Sequence, residues 1–385
     1  MLRFAGSRMS TKTMLWLACL CALLRAGDLL PEKYMRVAGF DDLLRSQQSN
    51  SVDSVPMCHP VLRLQGGYTL TSDDVAKNKR IVVIGDVHGD YNGLKENMYQ
   101  ANITVSEDIC EWKSGNNDVL FVQMGDIVDR GPNATEAFLC LRHLQQSAPE
   151  GSQVIRLLGN HELWWLEGAY HMRNKRSDTS EKINYLVQIM KEDIQNNLLL
   201  GAFSYVSHGV PLLFSHAGLR PDMKDVVVNI ISKSQNIAPS DVDEAMVASY
   251  INRVLVRSVS ACQNKVCVLK DAIFQAGPER GGSSIGGSYW TDFQILQNAA
   301  NSNVNSFNYV QKYIQIVGHS VEIGKIRVTS NAEAVCVDAG MYANGRAFLI
   351  IDKYDGRFRA HEKDMDRTVA DNWVINDMTK EICKI

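Results

Sequence analysis

Short apolar, β-branched runs that end at a glycine or a histidine punctuate this chain. They occupy 81–84 before Gly85, 119–124 before Gly125, 154–158 before Gly159, 212–214 before His216 and 314–317 before His319. Each reads as a strand. A polar cluster succeeds each run, so the polar residues are expected where strand ends and loops converge. Between residues 80 and 360 the strand-like runs alternate with helical ones, which predicts an α/β layered domain.

Two stretches interrupt that alternation. Residues 163–203 carry Trp164, Trp165 and Tyr170, then Ile183, Leu186, Val187, Met190 and Ile194 at helical spacing. Residues 222–287 hold a stripe of Val242, Met246, Val247, Tyr250, Ile251, Val254 and Leu255, with Ser240 as the expected N-cap. Both are expected to be helical inserts lying as lids over the site. Residues 28–79 show no clear period and read as an arm packed on the domain, and 361–385 read as a C-terminal tail.

The first 27 residues carry Arg3, Arg8, Lys12 and Arg25 and no acid, around an apolar run at 14–24. That run is too short to anchor a chain in a bilayer, so 1–27 predicts a secretory signal peptide and a secretory or extracellular destination. An organelle transit segment is the alternative. Removing the four cations takes the formal charge from −3 to −7, which argues against a nucleic-acid binder. Nine cysteines fall to seven without Cys19 and Cys21, an odd number that does not suit a disulfide scaffold. Cys262 and Cys267 could close a small loop or remain two buried thiols. Asn102 and Asn133 open glycosylation sequons.

The polar clusters carry the chemistry. Asp86 and His88 stand two apart at the end of the first run, so both side chains project to the same side. One oxygen and one nitrogen ligand suit a divalent transition metal better than calcium. Asp126 repeats the strand-Gly-Asp arrangement 40 residues later, and a carboxylate can bridge two cations. Asn160, His216 and His319 complete a second set, which accounts for two metals about 3.5–4 Å apart.

In Gly-Asp-Val-His-Gly (85–89), Gly-Asp-Ile-Val-Asp-Arg-Gly (125–131) and Gly-Asn-His-Glu (159–162), with His216 and His319, the chain resembles the calcineurin-like metallophosphoesterase superfamily, phosphoprotein phosphatase branch. The resemblance covers about residues 80–352. It implies a four-layer α/β/β/α sandwich with metals at the strand ends, Asp86, His88 and Asp126 on one and Asp126, Asn160, His216 and His319 on the other. Manganese is the first expectation for both ions, with iron or zinc also accommodated by these ligands. The implied reaction is in-line attack on phosphorus by a metal-bridging hydroxide. His161 would protonate the leaving group, Asp129 would orient His161, and Arg130 would fork two phosphate oxygens.

Departures from the branch narrow the reading. Ser288-Tyr-Trp-Thr-Asp292 resembles its Leu-Trp-Ser-Asp stretch, yet residues 293–310 hold no Arg or Lys to supply the phosphate-binding arginine that comes next in that branch. Arg280, with Arg220 as a second choice, is expected to substitute, making Arg130, Asn160 and Arg280 the substrate-facing set. With Phe-Ser-His-Ala-Gly-Leu around His216 and the leader peptide, the chain is most similar to the bacterial-type Shewanella-like protein phosphatases. That similarity implies a phosphoprotein or phosphorylated small-molecule substrate, no dedicated regulatory subunit and no stable membrane anchor after signal cleavage. Asp129 favours phosphomonoesters; the competing enzyme reading is a dinucleoside polyphosphate hydrolase. A non-catalytic scaffold would lack ligands or the acid, and here all are present.

Overall fold

The computed structural model describes residues 78–262, 266–301 and 313–363 and the backbone of 373–377. The expected signal peptide, and the arm up to residue 77, lie outside the described residues, as do Cys58 and Cys383. Seven strands form one sheet in the order β12-β11-β10-β1-β2-β3-β4, and five form a second in the order β5-β6-β7-β9-β8. The strands of the first sheet are β1 (Arg80–Ile84), β2 (Val119–Gln123), β3 (Gln153–Leu157), β4 (Leu199–Leu200), β10 (Ala347–Ile351), β11 (Phe358–Lys363) and β12 (Trp373–Asp377). Those of the second are β5 (Ala202–Ser207), β6 (Val210–Ser215), β7 (Ile314–Val317), β8 (Arg327–Val328) and β9 (Ala334–Cys336).

Alternation along each strand divides the core. Ile81 and Val83 of β1, Leu120 and Val122 of β2, and Leu349 and Ile351 of β10 meet Leu212 and Phe214 of β6 and Ile314 and Ile316 of β7 between the sheets. Val82, Ile84 and Phe121 point the other way, onto Leu94 and Met98 of helix α1 (Tyr91–Gln100) and Phe138 and Leu141 of α2 (Ala134–Gln146). With both faces covered, these strands carry unbroken apolar runs. On the far face of the second sheet, Leu213 packs with α5 (Pro221–Gln235) and α6 (Glu244–Ser260). The result is the expected four-layer α/β/β/α arrangement.

Several details depart from the sequence reading. The helix of the first insert, α4 (Ser180–Gln195), buries Ile183, Leu186, Val187, Met190 and Ile194 as expected. Its apolar face packs with α6. α6 is capped by Asp243, which accepts the Met246 N–H at 2.8 Å; Ser240 sits in a separate turn at Pro239–Asp241. The α6 side chain Asn252 bonds the backbone of Gly201 and Ala202, fastening the helix to β5. The supposed tail continues the first sheet, since Arg359 pairs with Asp377 and Lys363 with Trp373. Cys262 and Cys267 are bridged, and so are Cys110 and Cys140, which the sequence reading did not pair. Cys336 is a buried free thiol. Among the described residues no helix is long and apolar enough to cross a membrane.

Candidate metal centre and catalytic site

β1, β2 and β3 are mutually parallel, as are β6, β7 and β9. The segments that leave their C-terminal ends therefore meet at one edge of the sandwich, which is where open α/β sheets place ligands. Those segments carry Asp86 and His88, Asp126 to Arg130, Asn160 and His161, His216, His319 and Asp338. Asp86, His88, Asp126, Asn160 and His161 are each at most 3% exposed, and Asp129 and His216 are fully buried.

Asp126 is the common point. One group of metal-capable atoms comprises His88, Asp126 and His161, another Asp126, His216 and His319, with all atoms of each group within 4.8 Å of one another. Asp126 Oδ2 lies 3.6 Å from His88 Nε2 and 3.4 Å from His216 Nε2. Asn160 Oδ1 lies 3.0 Å from His216 Nε2 and 2.9 Å from His319 Nδ1.

These contacts test whether cations fit. His216 Nδ1 donates to the Met124 carbonyl at 2.8 Å and His88 Nδ1 to the Val128 carbonyl at 3.0 Å. In the neutral ring, Nε2 then carries a lone pair, yet in both residues it faces oxygen acceptors. Burial holds His88 down to about 3, so no second proton relieves that opposition. Burial disfavours charge on His216 too, but Asp126 outweighs it and raises the imidazole. His319 Nε2 is buried without a hydrogen-bond partner among the described residues. Lone pairs converging on a carboxylate oxygen and an amide oxygen suit divalent cations.

Asp86 stands outside the two groups of metal-capable atoms, beside them. Its two oxygens accept the His319 N–H at 3.0 and 3.2 Å. Burial, then the neighbouring Asp338 and Asp126, push its carboxyl well above the usual range. Asp338 ends the apolar β9 run just as Asp86 ends β1; reading 334–337 as a further parallel strand end would have found it.

The backbone here is unusual. His88, Asp126, Asp129, Arg130 and His319 all have positive φ, between 47° and 72°. Such conformations cost about 1–3 kcal/mol each for non-glycine residues and persist only where surroundings hold them. Glu162 does much of the holding. Its carboxylate accepts the N–H groups of Asp126, Ile127, Val128 and Gly159 at 2.7–3.0 Å. Gly159 must be glycine, because a Cβ there would meet Asp126 Oδ1 at 2.1 Å.

His161 lies in the first turn of helix α3 (Asn160–Leu166). Its Nδ1 is 2.6 Å from Asp129 Oδ2, while Asp129 Oδ1 accepts Trp165 Nε1 at 2.7 Å. Burial opposes the imidazolium, but Asp126 and Asp129 outweigh it and raise the His161 pKa. Aromatic rings border this end of the site. Trp164 edges His161 at 4.8 Å and lies 5.2 Å from Trp290, and Tyr342 edges His88 at 5.3 Å beneath the Arg130 guanidinium. Arg130 Nε is buried with no hydrogen-bond partner among the described residues. The two alternative arginines are engaged: Arg280 with Asp292, and Arg220 with Asp222 and Glu279.

Residues 79–254 match the sequence model of the calcineurin-like phosphoesterase family. Over 291 residues the chain is 24% identical to Shewanella-like protein phosphatase 2 of Arabidopsis thaliana, covering 69% of this chain and 72% of that protein. It is 30% identical over 140 residues to a symmetrical bis(5'-nucleosyl)-tetraphosphatase of Proteus mirabilis, covering 36% and 44% respectively. It spans about half the length of other curated relatives, 48% of an uncharacterized Schizosaccharomyces pombe protein among them. Its fold is similar to that of the cold-active protein-tyrosine phosphatase of a psychrophilic Shewanella species, with a TM-score of 0.51 at 16% identity over 74% of this chain and 78% of that one. The fold is that of the metallophosphoesterases. The chain carries a calcineurin-like phosphoesterase domain.

Proposed function

We propose that this protein is a metal-dependent phosphatase that hydrolyses phosphomonoesters of proteins. The observation that carries the reading is the His161–Asp129 contact, at 2.6 Å, beside a metal-capable cluster centred on Asp126. Asp86, His88 and Asp126 would hold one divalent ion, and Asp126, Asn160, His216 and His319 the second, with manganese first and iron or zinc as alternatives. When bound, such a pair supplies Lewis acidity and acidifies a nucleophilic water. The chain's own groups do the rest. Arg130, whose planar fork lies over Tyr342, meets two phosphate oxygens. His161, whose pKa Asp126 and Asp129 raise against burial, would give its Nε2 proton to the departing oxygen. His161 also falls within reach of the first ligand group, but its Nδ1 is held by Asp129 at 2.6 Å, and we assign it as the acid. The Trp164 indole borders the His161 ring, at 4.8 Å between centroids.

The similarity to a dinucleoside tetraphosphatase supports a second reading, hydrolysis of dinucleoside polyphosphates. One substrate panel separates them. The full chain with manganese is expected to cleave phosphopeptides with higher kcat/KM than a dinucleoside tetraphosphate, and the reverse order would favour the second reading.

We further propose that the protein matures in the secretory pathway. The Cys110–Cys140 and Cys262–Cys267 bridges support an oxidising destination. N-terminal sequencing of the native protein tests this, with a first residue near 27 expected and Met1 excluding a cleaved signal.

A further inference from the structure

We propose that the loop at 171–176 is a docking surface for acidic side chains flanking the phosphorylated residue of a polypeptide substrate. The inference rests on the phosphoprotein reading above and concerns which phosphoproteins are chosen. The loop carries Arg173, Lys175 and Arg176 within four positions, in a chain whose formal charge is −3.

Its position is set by the catalytic residues. The Arg130 N–H donates to the Met172 carbonyl at 3.1 Å, and Asn174 Nδ2 donates to the Arg130 carbonyl at 3.2 Å. The loop is thus bonded to both sides of the residue assigned to the phosphate. A second attachment is the His171 ring, 4.4 Å from Trp164, which itself edges His161. Within the loop, Asn174 and Asp178 bond each other's backbone, at 2.8 and 2.9 Å, and the Arg176 N–H donates to Asn174 Oδ1 at 3.1 Å. The conformation therefore depends on amide and carboxylate groups and leaves the cations over.

Those cations are not consumed elsewhere. Among the described residues, neither Arg173, Lys175 nor Arg176 forms an ion pair; Arg173 only donates to the Tyr170 carbonyl, at 3.3 Å. Lys175 and Arg176 are exposed and Arg173 is half-buried. The buried acid of the segment, Asp178, is occupied by Asn174 and Ser177, and nearby Glu136 pairs with Lys182. An ordinary solvated face would bear charges of both signs, paired in part; this one bears a single sign next to the phosphate-binding arginine. Each cation is one to four residues from the Arg130 contacts, roughly 4–15 Å of chain. That is comparable to the Debye length of about 8–10 Å at physiological salt. A peptide whose phosphorylated residue sits at Arg130 would place its neighbouring carboxylates against them.

The test uses the full chain with manganese and four substrates. These are a phosphopeptide with acidic flanks, the same peptide with the acids replaced by alanine, p-nitrophenyl phosphate and a dinucleoside tetraphosphate. At low salt the acidic peptide should have a kcat/KM about tenfold higher, carried by KM and shrinking as salt rises. Arg173→Ala/Lys175→Ala/Arg176→Ala should erase that advantage while aryl phosphate turnover stays within about twofold. Equal turnover of both peptides by the native enzyme overturns the inference and leaves the phosphatase reading standing, as does an advantage that survives the triple substitution. If no phosphopeptide is cleaved, both readings fall. A triple variant that loses dinucleoside tetraphosphate turnover but not the peptide preference assigns the loop to a polyphosphate chain and overturns the inference.

Discussion

His161 Nδ1 stands 2.6 Å from Asp129 Oδ2, and the other oxygen of the same carboxylate is held by Trp165 Nε1 at 2.7 Å. The carboxylate is thereby fixed at both ends and aims one lone pair at the imidazole. A histidine so placed is raised above its ordinary value, and only its protonated form can serve a leaving group. Activity should therefore persist through the neutral range and fall as pH rises through the His161 pKa. Asp129→Asn removes one of the two acids that raise His161, so the alkaline limb of kcat should move to lower pH. A kcat–pH profile of both proteins checks this; an unmoved limb would assign it to another group.

Loss of the acid itself should separate chemistry from metal binding. His161→Asn is expected to lower kcat by about 100- to 10,000-fold for poor leaving groups. Elemental analysis should find the metal content unchanged. A variant that loses metal instead would make His161 a ligand, as its place beside His88 and Asp126 allows.

Asp126 belongs to both groups of metal-capable atoms, so its carboxylate cannot be weakened for one ion alone. Asp126→Asn should abolish turnover and deplete both metals. Full activity with two ions per chain would remove the site assignment.

Glu162 tests the backbone strain. Its carboxylate receives four main-chain N–H groups, and an amide at that place would turn an NH2 toward some of them. Glu162→Gln should cost about 1–3 kcal/mol of stability by leaving buried donors unsatisfied. Weaker metal retention should accompany that loss, because Asp126 is among the residues it holds. Urea unfolding and metal titration on one preparation measure both.

Away from the site, Arg156 of β3 is fully buried and pairs with Asp193 of α4 at 2.6 Å, with Gln145 sharing the guanidinium. Asp193→Ala leaves a buried cation uncompensated and should cost about 3–5 kcal/mol. Chemical denaturation reads this directly; a loss below about 1 kcal/mol would show that water reaches the charge.

The strand ends and their polar clusters were legible in the sequence, because a covered parallel strand must be an apolar run and a ligand loop must break it. Asp86, His88, Asp126, Asn160, His216 and His319 could be named on that ground alone, as could the two-sheet sandwich by resemblance. The stripe of α4 was legible for the same reason, since 3.6-residue periodicity is local.

Tertiary structure decided what depends on distance between segments. That Asp86 faces the His319 backbone, that Glu162 gathers the N–H groups of Asp126, Ile127 and Val128, and that Cys110 pairs with Cys140 are facts about chain segments far apart in sequence. That the apolar faces of α4 and α6 meet each other is likewise something periodicity does not encode. The same holds for Arg280, a free cation in the sequence and a partner of Asp292 in the fold. Residue types and spacing determined which chemistry this chain carries. The three-dimensional packing decided which oxygen faces which nitrogen, because hydrogen bonds and charge act over a few ångströms of space and not along the chain.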